Sequence, residues 1–191
     1  MTFKERFLGH LKTINHHKYV VAQGCFKVGL YKQGILHDLS KYSPTEFLAG
    51  VKYFPGNKSP NCAQREEMGY SPAWLHHLGR NKHHYEYWID YSRDVEGGMQ
   101  PVRMPDRYIA EMIMDRIAAS KVYNGDKYTD ADALNYYYKG TDKAPLHPVT
   151  RKILVYYLKM LKEFGEEVTF QHIKDELVLH RKKPKWPGSH S

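Results

Sequence analysis

The chain has 191 residues, 41% apolar and 26% charged, with two cysteines and a formal net charge of +8. That length carries one domain with a sizeable core, and two cysteines without CxxC spacing give neither a disulfide framework nor a thiolate metal site. No run approaches the roughly 18 apolar residues of a membrane span and the start lacks a signal peptide's apolar stretch, so a cytoplasmic protein with no membrane partner is expected.

Thr2, with Glu5 three residues on, forms a capping box that opens a first helix. Helical periodicity then runs to about Tyr31, with room for a break near Asn15. Ser43-Pro44 starts a short helix to about Tyr53. Phe54 to Ser71 holds Pro55, Gly56, Pro60 and Gly69 and reads as a loop able to act as a lid. Ser71-Pro72 repeats the start signal and launches a long histidine-rich helix to about Tyr91. After a second loop marked by Gly97, Gly98, Pro101 and Pro105, a helix spans Asp106 to Tyr123 and stops at Asn124-Gly125. Thr129/Asp130 caps a short helix ending at Gly140. Pro148 to Phe164 is amphipathic, with Gly165 as its C-cap, and Thr169 caps a last helix.

No alternating strand pattern stands out. The fold expected is all-α, a single-domain bundle of seven or eight helices over residues 1–183, its metal-site core at about 11–123 and its C-terminal helices at 129–183. Residues 184–191 read as a flexible tail. Much of the basic excess lies close by, in Arg181, Lys182, Lys183 and Lys185. A solvated tail accounts for it, so a nucleic-acid partner is not favoured.

Twelve histidines are many for this length. In Gly34-Ile35-Leu36-His37-Asp38-Leu39-Ser40-Lys41, the adjacent His37 and Asp38 offer a neutral nitrogen and an anionic oxygen from one bend, the mixture a borderline divalent metal takes. At about 100° per residue, His17 shares a stripe with Val21, Gly24 and Val28 and points at the core, with His16 at its border. On a continuous helix from Ser71, Leu75, Leu78, Tyr85 and Ile89 form the apolar centre, and His77, Asn81, His84 and Trp88 border it. His76, Arg80, His83 and Tyr87 then lie on the opposite, solvated face. His77 and His84 stand about 10 Å apart on a straight helix and meet at one ion only if the helix breaks at Gly79. Asp115 sits among Tyr108, Met112, Ala119 and Val122. A buried carboxylate needs a cation, either an arginine such as Arg107 or Arg116 or a metal, and the nearby histidines favour the metal.

The order His17, His37-Asp38, a histidine-rich helix and then Asp115 resembles the HD-domain superfamily of all-α metal-dependent phosphohydrolases. HDLSK looks like the HDxGK-type form of that motif, and the intervening histidines are similar to those of two-metal branches such as the HD-GYP phosphodiesterases. HDLSKYSPTEF and HHLGRNKHHYEYW look closer still to a small bacterial and phage family known as a domain of unknown function. The resemblance spans roughly Leu11 to Tyr123. It implies that His17, His37, Asp38 and Asp115 hold one divalent ion, that Asp38 is free to bridge a second, and that His77 and His84 supply that second site. In two-metal relatives these intermediate histidines are more widely spaced, on different helices.

The function this implies is hydrolysis of a nucleotide or other small phosphate ester through a metal-activated water, with one or two ions of Mn, Fe, Co, Ni or Zn. Lys41 is placed to contact a phosphate, Asn81 to orient water or substrate, and Glu46 to accept a proton. His76, His83, Arg80 and Lys121 are secondary candidates. An HD-fold di-iron oxygenase and a non-catalytic, metal-stabilised binding protein are the competing readings.

Overall fold

The computed structural model describes residues 1–56 and 58–181, and its first helix, α1 (Phe3–Lys27), is one rod with no break at Asn15. The capping box is formed: the Thr2 hydroxyl accepts from the Glu5 N–H, and the Glu5 carboxylate accepts from the Thr2 N–H at 2.7 Å. The inward stripe is His10, Ile14, His17, Val21 and Cys25, at the three-and-four spacing of a half-buried helix. There follow α2 (Tyr31–Leu36), α3 (Pro44–Lys52), α4 (Pro60–Met68), α5 (Pro72–Leu78), α6 (Asp106–Asn124), α7 (Asp132–Tyr136) and α8 (Pro148–Ile173). These are the eight α-helices among the described residues, and the expected helical architecture holds.

Helix α6 is the central element. From Ile109 to Met114 every residue is buried, because α1 packs on one side and α8 on the other. Gly24 permits the α1–α6 contact: a Cβ there would stand 2.9 Å from Met114 Sδ. That close approach sets α1 beside the stretch of α6 that carries Glu111 and Asp115. Ile153, Leu154, Tyr157, Leu158 and Leu161 of α8 are all fully buried, closing the core from the far side.

Four expectations change. The histidine-rich segment is not one helix. Helix α5 ends at Leu78, and the chain turns through Gly79 to His84 into a short 3-10 turn, Tyr85–Trp88. The His77 carbonyl accepts the Asn81 N–H at 3.1 Å, as in a helix, and the Asn81 side-chain amide at 2.8 Å, but the next bond, His84 N–H to the Asn81 carbonyl, spans only three residues. Leu75, expected at the apolar centre, is 60% exposed as a result. Second, the supposed loop 54–71 contains α4, begun by Ser59-Pro60 with proline in the first turn. The Ser71 hydroxyl ties this helix to α5 by donating to Gln64 Oε1 at 2.5 Å.

Third, a two-stranded antiparallel hairpin follows, β1 (Ile89–Tyr91) and β2 (Met99–Pro101), with Ile89 opposite Pro101. Strands of three residues are too short to show alternation in sequence. Fourth, Gly165 is a left-handed kink (φ 75°) within α8 rather than its end, and Thr169 is an interior residue whose hydroxyl donates to the Gly165 carbonyl. The proposed tail, 184–191, and Lys182, Lys183 and Lys185 lie outside the described residues. No helix among the described residues is long and apolar enough to cross a membrane.

Candidate metal centre

The His-Asp corner is a forced bend. Helix α2 ends at Leu36, His37 is its C-cap, and Asp38 takes a left-handed conformation (φ 55°, ψ 24°). Such a conformation costs a non-glycine residue roughly 1–2 kcal/mol, which aspartate tolerates better than most. The Lys18 ammonium holds the bend by donating to the carbonyls of Ile35 and His37, and the Lys41 N–H donates to the Asp38 carbonyl at 3.0 Å. Gly34 lets α2 fold back this tightly, since a Cβ would meet the Phe26 ring at 2.8 Å.

The bend aims the two oxygens of Asp38 in different directions. Oδ2 lies 3.6 Å from His17 Nε2 and 3.4 Å from His37 Nε2. Both of those nitrogens face Asp115 Oδ1, at 3.0 and 3.4 Å. Oδ1 instead lies 3.3 Å from His77 Nε2 and 3.5 Å from His83 Nε2, and His77 Nε2 is 2.9 Å from His84 Nε2. Two donor sets therefore share one carboxylate: His17, His37, Asp38 and Asp115, and Asp38, His77, His83 and His84. With bonds near 2.1 Å, tetrahedral ligands stand about 3.4 Å from one another, and these separations cluster around that value. These buried histidine and aspartate groups could hold metal ions.

The hydrogen-bond account points the same way. His37 Nε2, His83 Nε2 and Asp38 Oδ1 are buried without a hydrogen-bond partner, while Asp38 Oδ2 is met by the Lys41 ammonium. Buried polar atoms left so cost free energy unless a cation meets them. The Nδ1 atoms of His37, His77 and His83, by contrast, face carboxylates on the outside. Glu111 Oε1 accepts from His37 Nδ1 at 2.9 Å and lies 3.3 Å from His83 Nδ1. Glu46 places one oxygen 2.8 Å from His77 Nδ1 and the other 2.7 Å from His76 Nδ1. Trp74 stacks on the His77 ring.

The buried groups shift one another strongly. Burial alone would raise the Asp38 carboxyl, but His37, Lys41 and His77 outweigh it and hold it well below the usual carboxylate range. Asp115 is half-buried and is likewise held down, by His17 and His37. Burial would depress His37, but Asp38, Asp115 and Glu111 keep its imidazole protonated well above the ordinary value. Burial, then the Lys41 charge, lowers His17, and burial with the neighbouring His83 and His77 lowers His84. Lys41 pairs with Asp38 Oδ2 at 2.6 Å, and its side chain is 28% exposed while that of Asp38 is 2% exposed. With Asp115 at 18%, Lys41 marks the side from which solvent reaches the cluster.

All six residues expected to bind metal converge. His83 joins them at 2% exposure rather than lying on a solvated face. The helical wheel failed there because the helix ends five residues earlier. His76 supports Glu46 from the rim, and Glu46 acts on histidine rings. The Asn81 amide donates to Ser40 Oγ and to the His77 carbonyl, both at 2.8 Å. Arg80 is exposed and donates to the His76 carbonyl. Lys121 pairs with Glu166 and lies over the Tyr128 ring, with no contact to the cluster. Glu111 was missed, although its position one turn before Asp115 on the same helix is a usable signal.

Residues 6–160 match a protein family described as "Family of unknown function (DUF5662)". The chain belongs to that family. The matched span contains every residue of the DUF5662 chain's cluster, from His17 to Asp115. No curated protein and no solved structure matches the chain.

Proposed function

We propose that this protein is a metal-dependent phosphohydrolase acting on a nucleotide or other small phosphate ester, with two ions sharing Asp38. The observation that carries the reading is the convergence of buried donor atoms without a hydrogen-bond partner, His37 Nε2, His83 Nε2 and Asp38 Oδ1, on a carboxylate whose other oxygen pairs with Lys41. The ligand order also resembles that of HD-domain phosphohydrolases, which is support by analogy only. Divalent ions held there would supply Lewis acidity and an activated water near neutral pH.

The chain's own residues divide the remaining work. Asp38 and Asp115 supply the negative charge that retains the ions, and Glu46 and Glu111 orient the imidazoles from outside. Lys41 offers a fixed ammonium at the open side, where a phosphoryl oxygen gaining charge would be met. A donor set of nitrogen and oxygen suits Mn, Fe, Co, Ni or Zn.

The test is element analysis of protein purified without a nickel column, followed by hydrolysis of a generic phosphodiester with added Mn²⁺. About two ions per chain and metal-dependent turnover are expected. Bound iron with an O₂-dependent reaction would favour the oxygenase reading, and bound metal without turnover the binding-protein reading.

A further inference from the structure

Asp38 is not the only carboxylate that touches both halves of the cluster. Glu111, 6% exposed on the central helix, lies against His37 of one donor set and His83 of the other, through the same oxygen. The two rings are face to face, their centroids 4.3 Å apart and their planes tilted by 35°. Asp38 faces their Nε2 atoms, at 3.4 and 3.5 Å, and Glu111 faces their Nδ1 atoms. The pair of imidazoles is thus held between two carboxylates.

We propose that Glu111 is the positioning residue that couples the two ion sites, fixing one histidine of each in the Nδ1–H form with Nε2 turned to the ion. A neutral imidazole carries one N–H, and the acceptor at Nδ1 decides where it stays. An ion at Nε2 displaces any proton there, so with Glu111 accepting at Nδ1 both His37 and His83 can turn an Nε2 lone pair to the ion. Glu46 has no such reach, because its two oxygens meet His77 and His76, of which only His77 belongs to a donor set. The two outer carboxylates therefore differ in kind: one serves a single site and the other serves both. This inference rests on the metal reading above.

The experiment is a competition titration with Zn²⁺ alone on the wild type, Glu111→Gln and Glu46→Gln, each checked for native helicity by circular dichroism. The wild type is expected to bind two ions. Loss of an outer carboxylate costs on the order of 10–100-fold in affinity, so Glu111→Gln should weaken both ions and Glu46→Gln only one. Weakening of a single ion by Glu111→Gln overturns the coupling while leaving the two-ion reading intact. Three ions in the wild type, falling to two in Glu111→Gln, would also overturn it, by making Glu111 a ligand with the Nδ1 atoms of His37 and His83. A wild type that binds no Zn²⁺ overturns both readings, whereas two bound ions without phosphoester hydrolysis would sink only the hydrolase. Long-range ¹H–¹⁵N spectra of the Zn²⁺-loaded wild type decide the matter without any variant. Nδ1–H signals for both His37 and His83 are expected, and an Nε2–H at either one refutes the proposal.

Discussion

His77 Nε2 and His84 Nε2 lie 2.9 Å apart, although the two residues are seven positions apart on the chain. His77 Nδ1 is already turned to Glu46, and burial keeps His84 neutral. Two imidazole lone pairs at that separation repel unless a proton or a cation lies between them. The contact follows from ending α5 at Leu78, because a continued helix would have kept the rings two turns apart. The Asn81 side-chain amide, 3.0 Å from His77 Nδ1 and bonded to the His77 carbonyl, holds the turn between the two rings.

Removing the shared carboxylate should differ from removing a ligand of one site. Asp38→Ala is expected to abolish binding of both ions, His84→Ala to lose one, and His76→Ala to retain both. Metal content of each folded variant, measured by mass spectrometry of the element, checks this. Equal losses from Asp38→Ala and His76→Ala would contradict the geometry, in which His76 meets Glu46 but no donor set.

Much of this centre was legible because it depends on local rules. The α1 register followed from the capping box and a three-and-four stripe, which placed His17 inward and left His16 exposed. His83 was not legible, since its burial depends on the chain leaving the helix after Leu78, where the local pattern would let the helix continue. Glu111 was hidden for another reason. A glutamate in mid-helix is ordinarily a solvated one, and its partners are 74 residues away at His37 and on another element at His83.

Chelation should destabilise the fold, because ions that bind only the native state stabilise it by mass action. At roughly 100 times Kd, one ion contributes about 3 kcal/mol. For a chain of this size that corresponds to a fall in Tm of about 5–10 °C. Differential scanning fluorimetry before and after verified metal removal measures it, and an unchanged Tm would count against a cage built around cations.

Lys41 is expected to matter for turnover and not for metal content. Its ammonium pairs with Asp38 Oδ2 from the open side but supplies no lone pair to an ion. Lys41→Met should lower kcat/KM for a phosphodiester by on the order of 100-fold, the scale of losing one fixed donor to a developing oxyanion. Metal analysis of the same preparation distinguishes this from a structural defect. Unaltered kinetics would remove Lys41 from the mechanism.

A final prediction concerns His10, which is in none of the donor sets. The ring packs against Phe47 and Phe54, with centroids 5.3 and 6.1 Å away. Gly50 comes so close that a Cβ there would stand 2.1 Å from His10 Nε2. Burial first, and the Lys41 charge second, push the imidazole from its ordinary 6.5 down to about 4. The folded value lies below the unfolded one, so between these two pH values the unfolded chain takes up a proton that the native ring refuses. His10 therefore contributes stability that is complete above about pH 6.5 and is lost as pH falls towards 4. A shift of that size corresponds to about 3 kcal/mol. In the presence of a chelator, so that metal loss does not enter, urea unfolding at pH 7.5 and 4.5 should show His10→Leu losing about 2–3 kcal/mol less than the wild type over that interval. Carboxylates held down by ion pairs also weaken in acid, but they do so equally in both proteins. Parallel losses in the wild type and the variant would mean that the ring accepts its proton in the folded state, and that the Phe47–Gly50–Phe54 wall is open to water.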